Sequence, residues 1–312
     1  MGYRLRLSLA CILTTACCMP ASGAKITVLL SEDGPAYVEA GEAFKSYLAK
    51  SAPGAAAVDI VPLGSIRNRP AALRDSALIV TVGVAAAEAA LAAPSDAPVL
   101  GALIPKAAFE ALACNDLRQR APRRCSAVFL DQPIDRQLAL IRAAFPERLR
   151  LGAVLGPASE SSAPMLGEAA RRHGLSLEVR TVKESADLYR ALESVLAESD
   201  VLLAVPDRAV LTTSSARSLL ISAYRDQVPV AAFSESYVTA GATLAVYSTP
   251  QQIGRQAAEA AAGFLSKDPA ELPAPRYPKY FSVKVNQQVA RSLGLAIPDE
   301  QTLHDRITEA GE

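Results

Sequence analysis

The 312-residue chain contains no tryptophan, two histidines and five cysteines. With only His173 and His304 available, there is no clustered His/Cys spacing of the kind that holds zinc, so neither a metal site nor a cofactor is expected. His173 stands beside Gly174, where a cation near a helix end is the plain reading. Also missing are a Gly-x-Ser-x-Gly elbow, a phosphate-cradling loop ending in Gly-Lys-Ser/Thr and a dinucleotide fingerprint. Without a nucleophile, base and oxyanion constellation, the chain is not expected to be an enzyme. Basic and acidic residues balance at 32 each, which leaves no cationic surplus for nucleic acid. No apolar run reaches the roughly 20 residues that a membrane-spanning helix needs. Aromatics make up 5% and apolar residues 50% of the composition, a balance that suits many buried parallel strands.

The amino terminus has a basic start at Arg4 and Arg6, an apolar run over 7–16, and small residues at Ala21-Ser22-Gly23-Ala24. This is the pattern of a secretory signal peptide over 1–23, and it predicts a periplasmic protein. Cys17 raises a lipid anchor as the alternative, but Thr14-Thr15-Ala16 lacks the leucine that usually opens a lipobox, so soluble release is favoured. Removing Arg4 and Arg6 leaves 30 basic against 32 acidic residues, a net charge of about −2. Two cysteines remain, Cys114 and Cys125. In an oxidising compartment a close pair is read as a disulfide, though spacing alone leaves two unpaired thiols open.

Short apolar runs then alternate with amphipathic stretches. Strands are predicted over 25–30, 58–62, 78–82, 98–104 and 126–130. A second series follows over 149–155, 175–182, 200–205, 228–233 and 242–247, with a last strand at 281–285. Strands alternating with helices imply βαβ units and parallel sheets. Eleven strands exceed what one open sheet usually holds, so two α/β lobes are expected.

Ligands of open parallel sheets bind beyond the carboxyl ends of the strands. Those positions are Ser31 and Glu32 after the first strand, Gly83 and Val84 after the third, and Asp131 after the fifth. In the second lobe they are Asp207, Ser234, Glu235 and Tyr237. Each has a bland reading: Ser31 as a helix cap, Gly83 as relief of a crowded turn, Asp207 as a structural ion pair. As a converging set they are the candidate site. Asp207 or Glu235 would hold a ligand ammonium group, and Tyr237 would form an apolar wall.

The runs FLDQPIDRQLALIRAAFP from Phe129, VLLAVPD over 201–207, YRDQVPVAAFSESYVTAGATLAVYSTPQQIGRQAAE from Tyr224, and YPKYFSVKVNQQVARSLGLAIPDE from Tyr277 carry a likeness. Together they resemble the ABC-transporter substrate-binding family that includes tryptophan-binding receptors. The resemblance implies a type I periplasmic-binding fold: two Rossmann-like lobes with parallel sheets, joined by a three-crossover hinge. It implies crossovers near 130–133, 239–243 and 277–281. Lobe 1 is then 24–131 plus 243–276, and lobe 2 is 132–242 plus 277–312. It further implies a monomeric receptor that hands a small molecule to an ABC permease, with a sensor feeding a signalling partner as the alternative. Family members that bind amino acids carry hydroxyl residues after the third strand and an Asp-Asn pair in the second lobe. Here those positions read Gly83-Val84-Ala85-Ala86-Ala87 and Asp207-Arg208, which speaks against tryptophan and leaves the ligand open.

Overall fold

The structure is a computed structural model, and it describes residues 24–66, 70–112, 124–184, 187–266 and 271–310. The expected signal segment 1–23 and Cys114 lie outside the described residues, whereas Cys125 is buried in a strand.

The first sheet has five strands, all parallel: β1 (Ala24–Leu30), β2 (Ala56–Pro62), β3 (Leu78–Val82), β4 (Val99–Ile104) and β5 (Cys125–Phe129), in the order β2-β1-β3-β4-β5. Its strands are apolar on both faces because both faces are covered by helices. Ile26, Val28 and Leu30 lie with Leu78, Val80 and Val82 under the helices Pro35–Ser51 and Pro250–Leu265. Leu29, Ile79 and Ala127 lie on the other face under the helix Val84–Ala92. Each such fully buried branched side chain contributes about 2 kcal/mol by leaving water.

The second sheet has six strands: β6 (Arg150–Leu155), β7 (Ser176–Thr181), β8 (Val201–Leu203), β9 (Val230–Ala232), β10 (Leu244–Tyr247) and β11 (Ser282–Val285). Their order is β11-β10-β9-β8-β6-β7, and only β11 is antiparallel. The helices Ile134–Ala144, Ala163–Arg172 and Glu300–Glu309 cover one face, and Leu188–Glu198 and Thr213–Arg225 cover the other.

One placement differs from expectation. The strand at 242–247 does not return to the first lobe: Leu244 pairs with Ala231 of β9 on one side and Val285 of β11 on the other. Backbone bonds from Thr243 N to Val230 O and from Asn286 N to Thr243 O start both ladders. The middle crossover therefore falls at 248–249, not at 239–243, and the chain reaches the first lobe as the helix Pro250–Leu265. There Gly254 sits directly against Ala40 of the helix Pro35–Ser51, where an added Cβ would lie 2.3 Å from the Ala40 carbonyl oxygen.

The three crossovers at 130–133, 248–249 and 277–281 are tied by one chain of hydrogen bonds. Gln132 Nε2 donates to Ser248 Oγ at 2.8 Å, and Ser248 Oγ donates to the Tyr280 carbonyl at 2.6 Å. Gln256, on the first-lobe helix, accepts from Lys279 N at 2.7 Å and donates to Tyr277 O at 3.1 Å.

Candidate ligand cleft at the carboxyl edges

Both sheets reverse their strand order beside their first strand, between β1 and β3 in one lobe and between β6 and β8 in the other. Helices leave the sheet in opposite directions there and open a crevice. The crossovers also leave from the carboxyl edges, after β5 at Phe129 and after β10 at Tyr247. The third enters at Ser282, which is paired with Tyr247 because β11 runs antiparallel. The crossovers thus attach at the carboxyl edges of both sheets, the edges where the candidate site residues stand.

On the first-lobe wall Ser31 Oγ accepts the Ala86 N–H at 2.9 Å, so this hydroxyl closes the start of the helix Val84–Ala92. The N–H groups of Val84 and Ala85 stand at its mouth. Gly83 has a φ of +90°, and a Cβ there would lie 2.6 Å from both Ser31 Oγ and the Tyr37 ring. Glycine is required on both counts. Glu32 is exposed beside them. Asp131 accepts the Lys106 N–H, and burial pushes its carboxyl above the ordinary range against the pull of that bond.

On the second-lobe wall the structure corrects one expected role. Asp207 is 6% exposed and turned into its own lobe. Its Oδ2 accepts from Ala158 N at 3.0 Å, Ser159 N at 2.9 Å and Ser159 Oγ at 2.8 Å, while Oδ1 accepts from Ala209 N at 2.9 Å. Four donors satisfy the carboxylate, so it locks the turn after β6 to the turn after β8 and offers nothing to an ammonium group. Gly156 makes room for it: a Cβ at Gly156 would lie 2.5 Å from Asp207 Oδ1.

Glu235 is the exposed carboxylate of this wall. Ser234 caps the helix Glu235–Ala240 by accepting the Tyr237 N–H and pairs with Ser236 Oγ at 2.9 Å. Phe233 and Tyr237 meet with ring centroids 4.7 Å apart. Tyr247 ends β10 near Glu235, and burial together with that carboxylate pushes its hydroxyl up to about 12. The sequence reading placed Ser234, Glu235 and Tyr237 at this tip but passed over Phe233 and Tyr247. Their signal was present as aromatics at the last or next-to-last position of two apolar runs. The hydroxyl-free turn Gly83-Val84-Ala85-Ala86-Ala87 proves to be a helix start, with Ala86 and Ala87 buried under the sheet.

The fold is shared with solved proteins of low sequence identity. A domain from Streptococcus pneumonia in complex with L-Trp is 19% identical, with a TM-score of 0.61 over 91% of this chain and 98% of that one. The open, ligand-free form of a substrate-binding protein with adhesive properties from Clostridium difficile is 19% identical, with a TM-score of 0.71 over 89% of this chain and 97% of that one. A conserved domain protein from Vibrio cholerae is 23% identical, with a TM-score of 0.60 over 91% of this chain and 98% of that one. No curated protein sequence matches the chain at a significant level. The family model for ABC transporter substrate binding proteins matches residues 69–305, and with two α/β lobes meeting at a three-crossover hinge, the chain belongs to that family.

Proposed function

We propose that this protein is the exported, periplasmic receptor of an ABC importer and captures a small amine-bearing organic solute between its lobes. The observation that carries this reading is the second-lobe wall: one exposed carboxylate, Glu235, close enough to Tyr247 to raise its pKa, on the same tip as Phe233 and Tyr237. A carboxylate among aromatic rings suits a ligand ammonium group joined to an apolar body. The opposite wall supplies the N–H groups of Val84 and Ala85 at a helix start, which suit a ligand carboxylate or other acceptor. Ser31, Gly83 and Asp131 shape that wall by holding helix starts, and Glu32 stands at its rim. The apolar Val84 and Ala85 favour an apolar body over a hydroxyl-rich one. A disulfide between Cys114 and Cys125 belongs to the same reading of an exported chain. No helix among the described residues is long and apolar enough to cross a membrane. In this reading the receptor hands its solute to a separate ABC permease, the partner that family membership suggests.

The test is native mass spectrometry of the purified protein to identify a co-purified solute, followed by titration of that solute into Glu235→Gln. The expected result is an amine-bearing solute of small mass whose affinity falls at least tenfold in the variant, equivalent to about 1.4 kcal/mol. Unchanged affinity removes Glu235 from the site, and a bound solute without a cationic group overturns the assigned class.

A further inference from the structure

Behind the hinge, on the second lobe, lies a cavity of about 620 Å³ that the cleft does not use. Its walls come from the first crossover and the helix after it (Pro133, Asp135, Arg136), the third crossover (Lys279, Phe281) and the end of the helix Ala163–Arg172. The basic side chains there are Arg136, Arg172, His173 and Lys279, and the carboxylate is Asp135. Most of these charges are answered locally. Arg172 and His173 both meet Asp135, at 2.9 and 3.2 Å, and Arg172 also meets Glu168. Lys279 Nζ meets Glu259 at 2.6 Å.

Arg136 is the exception. It is half-buried, its guanidinium lies 4.3 Å from the Phe281 ring centre, and its NH1 donates to two neutral oxygens, Gln132 Oε1 at 2.7 Å and Pro278 O at 2.8 Å. No carboxylate among the described residues comes within ion-pair distance of it. A partly desolvated charge facing only neutral acceptors is costly unless a counter-charge reaches it, and burial already pulls its pKa below the ordinary arginine value. The planar fork matches carboxylate and phosphate oxygens in pairs.

We infer that this cavity is a second binding site, distinct from the cleft, that takes a small anion bearing a carboxylate or phosphate group on Arg136. Both partners of NH1 belong to crossovers, and Gln132 is also the donor to Ser248. An anion on Arg136 therefore stiffens the same hydrogen-bonded chain about which the lobes turn. Occupancy of this site biases the spread of the lobes without touching the cleft.

The experiment titrates inorganic phosphate and succinate separately into the full-length mature protein by calorimetry, at ionic strength held constant with chloride. Saturable binding of at least one anion is expected, and whichever of the two binds distinguishes the phosphate source from the carboxylate source. Arg136→Gln is expected to weaken that binding at least tenfold. Lys279→Gln, at an exposed position, is expected to weaken it about threefold with the fold intact, which keeps the test decisive if Arg136→Gln fails to fold. Glu235→Gln is expected to leave anion binding unchanged, so failure here and failure of the cleft assignment are told apart. Absence of saturable binding by both anions, or binding that both Arg136→Gln and Lys279→Gln leave intact, overturns the site.

Discussion

At the scale of single residues, Asp207 shows how a side chain that looks like a ligand contact in sequence becomes a structural one. A Pro-Asp pair at a strand tip is the right place for a binding carboxylate, but four internal donors already satisfy this one. Truncating it leaves those buried donors orphaned. Asp207→Ala is therefore expected to lower the unfolding free energy by about 3 kcal/mol, measured by urea denaturation. Gly156→Ala is expected to cost about 2 kcal/mol by driving a methyl group into the same carboxylate. In the double variant the clash is gone, so the two costs must add to less than their sum. Strict additivity would mean that the two residues do not interlock. Glu235, at another strand tip of the same lobe, escapes this fate because it is exposed.

At the scale of elements, the decisive contact is between the helices Pro35–Ser51 and Pro250–Leu265, which are far apart in sequence and packed face to face. The second begins with a complete capping box, Thr249 accepting from Gln252 N and Gln252 accepting from Thr249 N. Its Gly254 lets the backbones close to contact, with Ala43 Cβ and Phe44 N at 3.0 and 3.1 Å from the place of a missing Cβ. Gly263 of the same helix has nothing within 4 Å of that place. The two glycines should thus respond to alanine with opposite signs. Gly254→Ala is expected to destabilise by about 2–3 kcal/mol through forced separation of the helices. Gly263→Ala is expected to stabilise by up to about 1 kcal/mol through helix propensity. Thermal unfolding of both variants checks the pair, and a loss in Gly263→Ala would refute the open position assigned to it.

At the scale of the whole molecule, three thin crossovers carry every covalent link between two independently cored lobes. A two-lobed molecule of this kind responds to a ligand by shifting between spread and closed arrangements only as far as the ligand prefers one of them. Small-angle scattering is expected to show a smaller radius of gyration once the cleft solute is bound. Ser248→Ala, which cuts the chain from Gln132 to Tyr280, is expected to change the radius of the unliganded protein while leaving each lobe folded. Identical scattering with and without the solute would sink the jaw mechanism. An unchanged unliganded radius in Ser248→Ala would free the lobe spread from that hydrogen bond.

The alternation of apolar runs and amphipathic stretches by itself determined two parallel α/β lobes, because strands covered on both faces must be apolar throughout. It also determined the tips where Ser31, Gly83, Ser234 and Glu235 stand, because a strand's end is written in its loss of hydrophobicity. What the absences excluded, from a histidine cluster to a phosphate loop, narrowed the chemistry without naming a ligand. Only the tertiary structure decided which sheet Leu244–Tyr247 joins, since edge pairing depends on partners distant in sequence. It alone decided that Asp207 faces inward while Glu235 stays exposed, because burial and donors come from other loops. It alone brought Gln132, Ser248 and Tyr280 into one chain and left Arg136 without a counter-charge among the described residues, for no local pattern encodes contacts across more than a hundred residues.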